Sequence, residues 1–74
     1  MNYIYTRSNP PCPWCVRVKK LLDLYNIKYE EYDVTDEEHY TYFVYQGFTS
    51  IPQVFLNNEL IGGYEATEKH LRGN

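Results

Sequence analysis

Cysteine is scarce in this chain. There are two among 74 residues, too few for the disulfide frameworks that staple small secreted domains. No apolar run approaches the ~20 residues of a membrane span. The opening Met1-Asn2-Tyr3-Ile4-Tyr5 lacks the charged and apolar regions of a secretory signal. Basic residues are few: 7 Lys and Arg against 10 Asp and Glu leave a net charge of -3, without the basic stripe of a nucleic-acid protein. Internal repeats, linkers and low-complexity stretches are missing as well. These absences point to one domain over residues 1–74 in a reducing compartment, with the cytoplasm as the default, and to no membrane or nucleic-acid partner.

What the chain does have is aromatic surface. Hydrophobic residues make up 43% and aromatics 18%, with 9 tyrosines, a globular composition. A domain this small buries only roughly 60% of the surface its unfolded chain exposes. Tyrosine suits such a thin core, because it can bury a ring and keep its hydroxyl wet.

Periodicity gives the elements. Tyr3-Ile4-Tyr5-Thr6 reads as a strand, and Ser8-Asn9-Pro10-Pro11 as a loop. Pro13 fits the first turn of a helix, whose stripe is Val18, Leu21, Leu22 and Tyr25 and whose stop is Asn26. Tyr29 to Val34 reads as a second strand. Thr35 and Glu38 have capping-box spacing for a second helix, with Tyr40, Phe43 and Val44 as its buried stripe and Gly47 at its end. Val54-Phe55-Leu56, the turn Asn57-Asn58 and Leu60-Ile61 form a hairpin. Gly62-Gly63 then leads into a last helix, Tyr64 to Leu71. The order β-α-β-α-β-β-α predicts an α/β fold: a four-stranded mixed sheet flanked by three helices. His39, amid acids, and His70 read as surface residues.

The chemistry lies in Cys12-Pro13-Trp14-Cys15. Residues three apart share a helix face, so a disulfide between the two cysteines can close and open with little backbone movement. If Cys12 caps the helix, its sulfur meets free N–H groups and the positive end of the dipole. Such sites lower a cysteine pKa from about 8.5 to ~3.5–7.5. Cys12 is then the nucleophile, and Cys15, deeper in the helix, the resolving thiol. Arg17, Lys19 and Lys20 make the local field positive. A zinc site needs four ligands, and only His39 and His70 could add to the pair. An inert buried pair is the other alternative.

Pro52 stands at the start of a strand, a position that needs no ladder N–H. If its peptide bond is cis, the backbone of Ile51 is free to pair with an extended peptide. Gly62-Gly63 reads equally as a hairpin end or as a place of close backbone approach to a ligand, with the following helix start offering N–H groups to a carboxylate.

Taken together, Tyr5-Thr6-Arg7, Cys12-Pro13-Trp14-Cys15 with Val16-Arg17-Val18-Lys19-Lys20, Gly47 through Phe55 and Gly62-Gly63-Tyr64 resemble the glutaredoxin branch of the thioredoxin-like proteins. These pieces lie in register over almost the whole chain. The resemblance implies a thioredoxin-like fold and a glutathione-dependent dithiol–disulfide oxidoreductase. Cys12 would attack protein disulfides or glutathione mixed disulfides, and Cys15 would resolve them. It further implies a cis Pro52, glutathione as co-substrate with no tightly bound cofactor, and a glutathione site built from Arg7, Trp14, Ile51, Pro52, Gly63, Tyr64 and Glu65. A monomer donating electrons to disulfide proteins such as ribonucleotide reductase fits this picture. Three departures matter, of which one is a short last helix, ending at Leu71-Arg72-Gly73-Asn74. The loop from Arg7 to Cys12 is longer than the family's usual one, and Ala66 stands where many relatives carry an acid. Ala66 keeps open a second electron source, thioredoxin reductase. A third alternative, carriage of an iron–sulfur cluster between subunits, is opposed by Pro13 directly after Cys12.

Overall fold

Along β1 (Tyr3–Thr6) the side chains alternate between two faces of a sheet. Ile4 joins an aliphatic cluster with Val18, Leu22, Val54 and Leu56. Tyr5 joins an aromatic one with Phe43 and Phe55, edged by Tyr3, Tyr32 and Phe48. The chain continues through α1 (Pro13–Leu24), β2 (Glu30–Asp33), α2 (Glu37–Tyr45), β3 (Gln53–Leu56), β4 (Glu59–Gly62) and α3 (Tyr64–Leu71). This computed structural model describes residues 1–73.

The four strands lie in the order β2-β1-β3-β4. β1 and β2 are parallel, with Tyr3 opposite Glu30. The β1–β3 and β3–β4 pairs are antiparallel. The sheet is therefore mixed, with three helices, as the β-α-β-α-β-β-α order predicts. Helices α1 and α3 contribute Val18, Leu22 and Leu71 to the aliphatic face. Helix α2 covers the other face through Phe43.

Local signals set the ends of the helices. Asn26 takes a left-handed φ of 56° just past α1 and returns its N–H to the Asp23 carbonyl. Gly47 does the same for α2 with φ 87° and a bond to Val44, the αL cap that asparagine and glycine tolerate. Asn57 and Asn58, at φ 54° and 64°, make the tight turn between β3 and β4.

Four expectations need correction. The cap of α2 is Asp36, whose Oδ1 accepts from the backbone N–H of Glu38 and His39. Thr35 is drawn away by the loop before α1. The buried stripe of α2 is Phe43 alone: Tyr40 is 53% and Val44 48% exposed. One sheet face under a single short helix has room for one such residue. Tyr25 is likewise exposed: α1 ends at Leu24, and Tyr25 is its C-cap, off the helical stripe. The second strand is also shorter than Tyr29–Val34: its register with β1 runs over Glu30–Asp33, and Val34 adds only its N–H on the Thr6 carbonyl.

Candidate active site

Helix α1 begins at the first cysteine. Cys12 is its N-cap, with extended backbone (φ -121°, ψ 102°), and Pro13 follows at the first helical position. The Cys12 Sγ accepts the Cys15 backbone N–H at 3.2 Å. The sulfur thus does what a serine or aspartate oxygen does at other caps, and the positive end of the helix dipole lies behind it. Val18 and Leu22, fully buried one and two turns on, hold this helix start against the sheet.

Cys15 is on the same face and deeper, 2% exposed. Burial pushes its thiol up to about 12, and its hydrogen bond with Cys12 adds to the rise, while the Arg7 backbone works against it. Both cysteines are free thiols.

Cys12 opens on a groove of about 470 Å³, lined also by Arg7, Trp14, Tyr40, Thr49 and Ile51. A second groove of about 430 Å³ runs along Trp14, Ile51, Pro52, Gly63, Tyr64 and Glu65. The two share Trp14, Ser50 and Ile51 as their common wall. Trp14 is half exposed. Its ring lies 5.6 Å from that of Tyr64, with the Arg17 guanidinium 4.5 Å over it. The Ile51–Pro52 peptide bond is cis, and Ile51 precedes Gln53, the first paired residue of β3.

The fold therefore gathers six of the seven residues expected to hold glutathione into one groove, although they come from three segments of the chain. Arg7 is the exception. It lines the first groove, and its Nε donates to the Pro10 carbonyl at 2.9 Å, turned across the long loop. The glycine reading also shifts. Gly62, at φ +124° and with only 3.2 Å between an added Cβ and Ala66, is the position that needs glycine. Gly63 has an ordinary φ of -83° and room for a side chain, 3.7 Å from the Pro52 carbonyl. It is the N-cap of α3 and provides no side-chain cap, so the first N–H groups of α3 face this groove without a side-chain acceptor.

Sequence reasoning missed the anchor of the active-site loop. Asp33 Oδ1 accepts the N–H groups of Ser8 at 3.2 Å and Thr35 at 2.8 Å, and Thr35 Oγ1 accepts the Asn9 N–H. Burial raises the Asp33 carboxyl, but the hydrogen bonds from Ser8 and Thr35 outweigh it and bring the pKa down to about 2. Asp33-Val34-Thr35 carried an Asx-turn signal. Nothing local linked it to Ser8. His39 was missed too: it is partly buried, packs its ring 5.1 Å from Tyr32 and donates from Nδ1 to the Asp33 carbonyl. Among the described residues, no group of three or more His, Cys, Asp or Glu side chains stands where it could hold a metal ion.

The glutaredoxin family model matches residues 3–61. Glutaredoxin 1 of Rickettsia conorii is 36% identical over 67 residues, covering 85% of this chain. This chain spans 64% of that relative's length. Among solved structures, a buckwheat glutaredoxin–glutathione complex is 27% identical with a TM-score of 0.75, covering 97% of this chain and 69% of that one. A thioredoxin-like protein is 32% identical with a TM-score of 0.79, covering 96% of this chain and 97% of the other.

Proposed function

This chain belongs to the glutaredoxin family, and we propose that it is a glutathione-dependent dithiol–disulfide oxidoreductase. One observation carries the reading: Cys12 caps α1, with its sulfur on the Cys15 N–H and its side open to a groove. A thiolate there is held by the helix start. It attacks one sulfur of a substrate disulfide, and the released thiolate takes a proton from solvent. On protein substrates the Cys15 thiol loses its proton and attacks the Cys12 sulfur. That frees the second substrate thiol and leaves a Cys12–Cys15 disulfide. Two glutathione thiols then restore the dithiol and leave as glutathione disulfide. On glutathione adducts, one glutathione remains on Cys12 until a second removes it, and Cys15 is not needed.

The second groove supports the choice of glutathione. Its cysteinyl part would pair with the Ile51 backbone, outside the β1–β3 ladder. Its γ-glutamyl carboxylate would meet the α3 N-terminus at Gly63 and Tyr64, with Glu65 beside the ammonium group. Trp14 and Pro52 wall the groove, and Arg7 serves the Cys12 side. Protein substrates of the ribonucleotide reductase kind, a monomeric state and the reducing cytoplasm complete the reading.

A thioredoxin-reductase-linked protein is the second reading. Ala66 leaves the groove with one acid, Glu65, and the thioredoxin-like structure matches this chain over nearly its whole length. A coupled turnover assay on a glutathionylated small disulfide separates the two. Glutathione with its reductase is expected to support turnover, lost in Cys12→Ser and largely kept in Cys15→Ser. Turnover with thioredoxin reductase alone, needing both cysteines, would replace the first reading by the second. No turnover in either arm would overturn both.

A further inference from the structure

On the aromatic face of the sheet, away from the cysteines, lies a third groove of about 410 Å³. Tyr3, Tyr5, Tyr32, Tyr42 and His39 line it together with one carboxylate, Glu38. Its rings are tilted against one another, not stacked: Tyr3 to Tyr32 is 5.5 Å at 45° and Tyr5 to Tyr32 5.7 Å at 54°. No lysine or arginine lines it, and among the described residues Glu38 has no ion-pair partner. Asp36 and Glu37 beside it add to the negative field.

Aromatic faces carry negative potential and attract cations, most strongly where several rings converge. A carboxylate at the rim selects the same sign. Of the protein cations, arginine suits the groove best, because its flat guanidinium stacks on rings and forks onto a carboxylate. The position of the groove says what brings the arginine. Helix α2 separates it from the Cys12 groove: Glu38, His39 and Tyr42 line one side, Tyr40 and Phe43 the other. A helix is about 10–12 Å wide, which three or four extended residues cross at about 3.3 Å each.

We propose that the tyrosine groove takes an arginine of a protein substrate, placed about three or four residues from its disulfide cysteine. The site would select among protein disulfides. It rests on the disulfide-exchange reading above only for the origin of the arginine.

The binding test needs no turnover. Cysteine-free peptides with one central Arg, Gln or Leu are titrated into the reduced protein while the tyrosine ring resonances are followed. The Arg peptide is expected to shift Tyr3, Tyr32 and Tyr42 and to bind about five-fold more tightly than the others. Glu38→Gln and Tyr42→Leu, both at exposed positions, should each erase that preference. Equal binding of the three peptides, or a preference that survives in both variants, would overturn the proposal. In turnover, a peptide disulfide with the spaced Arg should show a KM about five-fold below its Gln counterpart, with kcat unchanged. Both variants should keep wild-type rates on a small glutathione adduct. If turnover fails on every substrate while the Arg preference in binding stands, the oxidoreductase reading falls and the arginine site does not.

Discussion

The two faces of the sheet are built differently. The face under α1 and α3 is aliphatic and closed, with Ile4, Val18, Leu22 and Val54 all at 0% exposure. The face under α2 is aromatic and partly open, with Tyr5, Phe43 and Phe55 buried and Tyr3 and Tyr32 at its edge. The nine-residue helix α2 buries only Phe43 on its face, and tyrosine suits the rest because its ring packs while its hydroxyl can reach a polar partner. Tyr5 is buried, and its hydroxyl accepts a bond from the Gln46 side chain. The helix that carries the cysteine pair is anchored on the closed side. Cys12 caps a helix held by four buried residues, counting Cys15 itself, whereas α2 is held by one. The firm face positions the sulfur, and the loose face carries the open tyrosine groove.

The largest effect should come from the closed face. Leu22→Ala is expected to cost about 3 kcal/mol, by lost burial plus a cavity. Tyr42→Leu on the open face should stay within about 0.5 kcal/mol. Urea unfolding of both variants checks the contrast, and equal losses would erase the distinction between the faces. Next in size is the cap of α2. Asp36→Ala should cost about 1 kcal/mol and let α2 amides exchange with deuterium before those of α1, since the less anchored helix opens first. Faster exchange in α1 would reverse the assignment of firm and loose.

A third effect joins the two faces and carries an acid signature. Asp33 ties the loop before α1 to the turn before α2, and its carboxyl titrates near 2 against about 3.9 when unfolded. The unfolded chain takes up the proton first, so the stability from this group is present above about pH 4 and is lost as pH falls towards 2. Asp33→Asn should lose the tie at neutral pH and flatten the acid dependence in that window. A thermal-melt series from pH 5 to pH 2 compares the two proteins, and unchanged acid sensitivity in the variant would remove Asp33 from this role.

Much of this was legible along the chain. Strand β1 and helix α3 have the predicted bounds. Asn26 and Gly47 stop their helices through a left-handed φ, a property of those residue types that needs no tertiary partner. The capping position of Cys12 followed from Pro13 and the break before it. Each of these depends on atoms within about one helical turn.

What lay beyond that reach was decided by packing. Trp14, Ile51 and Gly63 share a groove because β1, β3 and β4 are neighbours and bring their ends to one side. Arg7 lines the adjoining Cys12 groove instead, with its guanidinium on the Pro10 carbonyl of the long loop. Asp36 displaced Thr35 as the cap of α2 because Thr35 was already bound to Asn9. Tyr40 and Val44 had the spacing of a buried stripe, yet burial requires a surface opposite, and the sheet under α2 supplied one for Phe43 alone. The sequence by itself determined most of the elements and the placing of the Cys12-x-x-Cys15 pair at a helix start, since both are local. The tertiary structure decided which side chains meet across them, because that depends on how distant elements compete for the same partners.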